Sequence, residues 1–257
     1  MPFLNTPKSS PLKTAPIRLS ATAWLLLGVI LLSPWMAQAA QLPDFKATFD
    51  IRVLGFKIGQ AHQKMQCDQG DCRLTSEAIP PDWAKAFINE SAIEEIRLQQ
   101  TNKQFKWLEY KKFLTREYDD RTEHKTYTLV RRADIHKIEY VEKQTFWPEQ
   151  THLYDVISLA YGIQYQLLNN RSLTDFYLQD DKIQQKIQFT EQNQNERIDL
   201  PFAEAVPTQR FAFHNDKIDA QLWVLPEMDF FPAKIVIFNK EEDRKIVLEL
   251  NQKPATP

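Results

Sequence analysis

Hydrophobic and polar residues alternate through most of this chain. From Phe45 to Val53, every odd position is apolar and every even position is polar. A period of two is typical of a β-strand with one buried face. Similar segments, separated by turn residues, predict roughly a dozen strands. After the first hairpins, these segments lie at 91–99, 104–114, 125–131, 134–141, 173–178, 183–189, 197–200, 209–213, 218–225, 233–238 and 245–250.

One segment has the helical period instead. Between Thr151 and Leu168, apolar residues recur at three- and four-residue steps and form one stripe. Thr151 is a candidate N-cap and Asn169–Asn170 a candidate stop. A shorter segment at 83–88, after two prolines, fits one or two helical turns. The predicted fold is mainly β: a curved antiparallel sheet or partly open β-barrel with one long covering helix. A two-sheet sandwich would show the same alternation.

The first 39 residues have the features of a secretory signal peptide. Three basic residues precede an uncharged apolar run from Ala21 to Leu32, and Ala37-Gln38-Ala39 fits a cleavage site. The run is too short to span a membrane, which takes roughly 20 residues. We therefore expect a soluble periplasmic protein that begins at Ala40 or Gln41, without a transmembrane segment. We expect a single mainly-β domain over 40–251 and a disordered tail over 252–257.

The net charge disfavours two classes of binding partner, nucleic acids and anionic membranes. Removing the leader takes away three positive charges and lowers the net charge from −2 to −5. This balance offers no electrostatic attraction to nucleic acid or to anionic membranes. The mean hydropathy of −0.48 excludes an integral membrane protein of the helical type.

Two cysteines, Cys67 and Cys72, flank a four-residue turn. In an exported protein this pair predicts a disulfide across a hairpin tip. Pairing these two residues also places Met65 opposite Leu74, and Ala61 opposite Ala78, on one face. A redox pair or half of a metal site are the alternatives, but the spacing is not Cys-x-x-Cys and no second pair exists.

Candidate catalytic residues are few. None of the five histidines has metal-ligand spacing, and the four serines after the leader lie in no nucleophile motif. We therefore expect no metal, no cofactor and no enzymatic activity. Asp155 is the strongest candidate for a catalytic carboxylate. A structural role, in which it forms a hydrogen bond from the helix to the sheet, is nevertheless the favoured explanation.

Three segments support a family resemblance. They are Phe49–Gly59, the helix region with Asp155, Val156 and Ser158, and the stretch that contains Leu222–Glu227 and Phe230–Ile235. Their order and spacing resemble the exported bacterial family known as domain of unknown function 3108. The resemblance implies a periplasmic location and a mainly antiparallel β fold, but no reaction. The layout is also similar to the open barrels of lipoprotein carriers.

The leading hypothesis is a non-enzymatic periplasmic protein that binds an apolar or amphipathic envelope molecule, such as a lipid, in a curved sheet. Abundant aromatic residues, which can also pack an ordinary core, are its main support. The candidate ligand-binding residues are Ile157, Ala160, Ile163, Phe211, Trp223 and Phe231.

Two other hypotheses remain open. One is an interaction or assembly module with a filled core that binds another envelope protein through exposed strand edges. The weaker one is a hydrolase with Asp155 in its site. An apolar cavity above about 300 Å³ would favour ligand binding, and a filled interior would favour the interaction module.

Overall fold

The computed structural model describes residues 39–80 and 90–256, and its compact unit begins at Ala39. These residues form sixteen strands, one α-helix and one 3-10 helix. In chain order they are β1 (Phe45–Val53), β2 (Phe56–Asp68), β3 (Asp71–Ile79), β4 (Glu90–Gln100), β5 (Phe105–Glu117), β6 (Thr122–Arg132), β7 (Lys137–Tyr140), β8 (Thr145–Pro148), β9 (His152–Tyr154), α1 (Ser158–Leu168), β10 (Phe176–Gln179), β11 (Gln184–Lys186), β12 (Gln188–Leu200), β13 (Ala203–His214), β14 (Ile218–Leu225), the 3-10 helix (Pro226–Met228), β15 (Phe231–Asn239) and β16 (Arg244–Leu250).

Thirteen of these strands form one antiparallel sheet. Strands β1 to β8 follow one another across one half of it, and β12 to β16 follow one another across the other half. The halves join where β16 pairs with β1, and β8 and β12 form the two edges. The mainly β prediction is confirmed, in its open form: the sheet is not closed into a barrel. Strands β9, β10 and β11 form a separate small sheet.

The large sheet curves around α1. Tyr161 of the helix hydrogen-bonds Gln63 on β2 and packs its ring against Phe231 on β15. Tyr165, one turn later, stacks on Phe105 of β5 with ring centroids 5.6 Å apart. One helix can contact strands from both halves only if the sheet wraps around it. The helix therefore lies on the concave face, as predicted.

The two ends of the sheet differ in packing. At the end where β1 begins, the backbone N–H and carbonyl of Leu42 form hydrogen bonds with the buried side-chain amide of Gln100, and aromatic rings fill the core. We call this the closed end. At the opposite end β1 finishes at Val53, and side chains on β15 and β16 remain half-exposed inside the curve. We call this the open end.

The helix is shorter than predicted. The sequence predicts a start at Thr151, but residues 152–154 form β9, which pairs in parallel with β10, and the helix begins at Ser158. Leu153 belongs to the predicted stripe and is buried in this strand, so its apolar character fits a helix and a strand equally well. A three-residue strand is too short for its period to reveal it. The predicted stop is confirmed, because Asn169 is the C-cap.

The predicted hairpin and disulfide are confirmed. Cys67 pairs with Cys72 in the β2–β3 register and the two are bonded, with Cα atoms 4.0 Å apart. Met65 lies opposite Leu74 in the same register, as expected.

Residues 252–256 run beside the first residues of β1. Ala255 exchanges two backbone hydrogen bonds with Lys46, at 2.7 and 2.9 Å. Strand β16 ends opposite Phe49, which leaves the first residues of β1 without a partner on that side, and the tail supplies one.

Two predictions lie outside the described residues: the signal peptide over 1–39, apart from its last position, and the short helix at 83–88. Within 39–80 and 90–256, no helix has the length and apolar character needed to cross a membrane.

Candidate functional site

The start of α1 is held in place by Asp155. Its buried carboxylate accepts hydrogen bonds from the backbone amides of Ile157 and Ser158, at 2.8 and 3.0 Å, and from the Ser158 hydroxyl. Trp107 Nε1 of β5 donates to the same carboxylate at 2.9 Å. A hydrogen bond between Asp155 and the sheet, the favoured explanation of this residue, is therefore present, although Asp155 lies in the turn before α1 and not on the helix.

Burial and hydrogen bonding oppose each other at this carboxylate. Burial raises the pKa of Asp155, whereas the four hydrogen bonds from Ser158, Ile157 and Trp107 favour its charged form. Both oxygens already accept bonds, so Asp155 is a positioning residue for the turn that precedes the helix.

That turn presents Val156 to solvent inside the curved sheet. Its side chain is 49% exposed although it sits between the buried Asp155 and the half-buried Ile157. Three adjoining clefts open around it, with volumes of about 420, 210 and 20 Å³. Val156 and Ile237 of β15 line all three. We call these three clefts together the Val156 groove.

The floor of the Val156 groove is aliphatic. The 210 Å³ cleft lies between the start of α1 and the concave faces of β15 and β16. Its apolar lining from these strands consists of Pro232, Ile235, Ile237, Ile246 and Leu248. Ile235 and Ile237 alternate along β15, and Ile246 and Leu248 along β16, so one face of each strand provides the floor, and a register shift separates Pro232 from this alternation.

The 420 Å³ cleft combines apolar and charged side chains. On its β4–β5 side, Arg116 pairs with Glu90 at 2.8 Å and Lys112 lies 3.7 Å from Glu94. Tyr110 donates to Glu94 at 2.7 Å, and burial raises the pKa of that carboxyl. The groove thus has an apolar floor and a rim of paired charges, an arrangement that can bind an amphipathic molecule.

Three predicted ligand residues lie at the groove. Ile157 lines the 210 Å³ cleft, Ala160 lines that cleft and the smallest one, and Ile163 lines the smallest one. Phe211 is buried on β13 beside Leu222 and lines none of the three clefts.

The other two predicted residues lie elsewhere. Phe231 packs at the closed end, with its ring 5.0 Å from that of Phe45. Trp223 points to the convex face, where its indole donates to Glu196 at 2.8 Å and Lys234 lies over its ring. The structure therefore brings the helical candidates together and leaves the aromatic ones apart from the groove.

Sequence reasoning missed Val156 as a groove residue, and it also missed the aliphatic floor. The alternation on β15 and β16 could have revealed the floor, because Ile235 and Ile237 share a face and so do Ile246 and Leu248. Within 39–80 and 90–256, no group of three histidine, cysteine or acidic residues is arranged to hold a metal ion.

The geometry defines an open antiparallel sheet with a groove beside its covering helix. The model of a family described as predicted periplasmic protein (DUF2092) matches residues 148–250, which run from the end of β8 to the end of β16. This family is of the kind expected from the sequence, periplasmic and of unknown function, but it differs from domain of unknown function 3108, which the sequence resembles. No curated protein matches this chain.

Proposed function

We propose that this protein is a non-enzymatic periplasmic protein that binds an apolar or amphipathic envelope molecule in the Val156 groove. The observation that carries the proposal is the accessible apolar surface inside the curve, with Val156 at its centre. An exposed valine above an aliphatic floor costs solvation free energy unless another apolar surface covers it.

The form of the groove suggests how such a ligand is held. The apolar part would lie on Ile235, Ile237 and Leu248, and a polar head would reach the charged rim at Lys112 and Arg116. The mainly apolar cleft of about 210 Å³ is smaller than the 300 Å³ expected of a ligand cavity, but it adjoins the 420 Å³ cleft at shared residues. The ligand would therefore occupy both clefts together.

The periplasmic location rests on the leader-like residues 1–39 and on the description of the matching family. N-terminal sequencing of the protein from its own envelope should find Ala40 or Gln41. A product that still carries Trp24 would contradict cleavage.

An interaction module is the less supported alternative. Strand addition needs a regular, unprotected edge. Edge strand β8 ends in Pro148, and edge strand β12 has irregular register against β13 at Phe189–Glu191 and at Glu191–Gln194. Both features discourage pairing with another chain.

Binding of the uncharged dye N-phenyl-1-naphthylamine tests the proposal. We expect the wild type to bind it with increased fluorescence and Val156→Asp to lose affinity by about tenfold or more, because a carboxylate then faces the apolar floor. Val141→Asp is the matched control, since Val141 is 44% exposed in the turn between β7 and β8 and lines none of the three clefts. A wild type that binds no dye, or equal binding by all three proteins, would refute the proposal.

A further inference from the structure

The β1–β2 turn carries the two most exposed large hydrophobic side chains of the described residues. Leu54 is 75% exposed and Phe56 is 72% exposed. Leu54 and Gly55 form a two-residue turn in which both φ angles are positive, 52° and 85°. Asn-Gly is the favoured pair in such turns, and leucine is unfavourable there. The turn thus combines an unfavourable backbone conformation at Leu54 with two solvent-exposed apolar side chains, and backbone strain of this kind is found at functional sites.

A row of apolar side chains connects this tip to the Val156 groove. Phe56 pairs with Val53 across the hairpin, Val53 pairs with Ile246 of β16, and Ile246 pairs with Ile237 of β15. Ile246 and Ile237 line the groove, so all four residues lie on the concave face at the open end. Exposure falls along the row, from the solvated Phe56 to the half-buried residues at the groove.

We propose that Leu54 and Phe56 insert into the interface of a lipid bilayer, and that the apolar row leads a membrane-derived ligand into the groove. The second part rests on the proposed function, whereas the membrane contact stands without it. Two side chains at a hairpin tip are too few for a stable protein interface, which buries about 800 Å² per partner. They suffice for shallow, reversible insertion at the boundary between headgroups and acyl chains.

Charge is not the source of this contact. The two cations that flank the tip on the hairpin itself are paired with acids: Lys57 lies 2.7 Å from Asp50, and Arg52 lies 3.8 Å from Glu249. The tip therefore offers apolar surface rather than a basic patch. We expect it to bind zwitterionic vesicles as well as anionic ones, with little dependence on salt.

Vesicle flotation tests the membrane contact. The wild type should float with phosphatidylcholine vesicles and equally with vesicles that also contain phosphatidylglycerol. The double variant Leu54→Asn with Phe56→Thr should lose binding by about tenfold or more. Because Asn-Gly suits this turn, the melting temperature should not fall, which separates lost binding from unfolding.

The control is Ile135→Asn, which removes a 46% exposed side chain from the turn between β6 and β7, at the closed end. It should float like the wild type. The membrane contact is overturned if the wild type stays out of both vesicle types, floats only with the anionic ones, or floats undiminished after the double substitution.

These experiments distinguish failure of the ligand-binding proposal from failure of the membrane-contact proposal. The tip variant should still bind N-phenyl-1-naphthylamine in the absence of vesicles, and Val156→Asp should still float. Loss of flotation together with retained dye binding in the tip variant supports a distinct membrane contact. If Val156→Asp loses flotation as well as dye binding, the groove and not the tip makes the contact, and the inference is wrong.

Discussion

A substitution at Gly162 tests how closely α1 packs against Tyr154. A Cβ atom added at this position would lie 2.5–2.8 Å from three ring atoms of Tyr154. Such distances are far inside van der Waals contact, so either the ring or the helix would have to move. The ring is fully buried, its hydroxyl donates to the Phe105 carbonyl at 2.7 Å, and it packs against the ring of Phe176.

The substitution Gly162→Ala therefore sets two effects against each other. Helix propensity favours alanine by about 1 kcal/mol. Overpacking costs about 1–3 kcal/mol, and a displaced Tyr154 would leave the buried Phe105 carbonyl without its donor, at about 1–3 kcal/mol more. We expect a net destabilisation of about 1–5 kcal/mol, opposite in sign to the usual effect of this exchange in a helix.

Thermal unfolding followed by circular dichroism measures this effect. For a domain of this size, each 1 kcal/mol lowers the melting temperature by about 2–4 °C. In the background of Tyr154→Leu, which removes the outer ring atoms, Gly162→Ala should cost nothing or be stabilising. A melting temperature that rises on Gly162→Ala alone, or an equal loss in both backgrounds, would refute the described contact.

Three further predictions concern Ile157 in the groove, the disulfide of the β2–β3 hairpin, and Glu94 at the rim of the groove. Ile157→Ala should cost less than the 2–5 kcal/mol typical of packed core positions in denaturant unfolding, because Ile157 is half-buried beside a cleft; a full core loss would mean that this space is closed. Changing both Cys67 and Cys72 to Ser should lower stability by less than about 3 kcal/mol and leave dye binding intact, and thiol labelling of the native wild type should fail. Burial raises the pKa of Glu94 above its ordinary 4.5. The free energy of unfolding therefore contains a contribution from the protonated carboxyl that is fully present below about pH 4.5 and is lost as the pH rises through the pKa of the folded state. Glu94→Gln should accordingly melt higher than the wild type at about pH 7 and equally at about pH 4; equal melting at both would contradict the raised pKa.

The strands were predictable because the curved sheet places alternate residues in different surroundings. Phe45–Val53 has the predicted bounds, and the register of the β2–β3 hairpin follows from the cysteine pair. The open sheet could not be told from a sandwich, because both bury every second residue of a strand.

The site was harder to predict for a local reason. Tryptophan is a residue type that often contacts ligands, but Trp223 lies on the convex face. There Lys234 covers its ring, and its indole N–H donates a hydrogen bond to Glu196. A single aromatic residue does not reveal which face of a strand it occupies when neighbours on both faces are apolar. Likewise, Val156 belongs to the predicted helical stripe, and only the turn made by Asp155 exposes it.

The central claim is that the Val156 groove holds an apolar or amphipathic molecule. Native mass spectrometry of the protein, purified from its own envelope in parallel with Val156→Asp and Val141→Asp, tests this claim most directly. We predict a bound mass on the wild type and on Val141→Asp that is released on unfolding and is absent from Val156→Asp. The bare mass for all three proteins, or the same bound mass on all three, would contradict it.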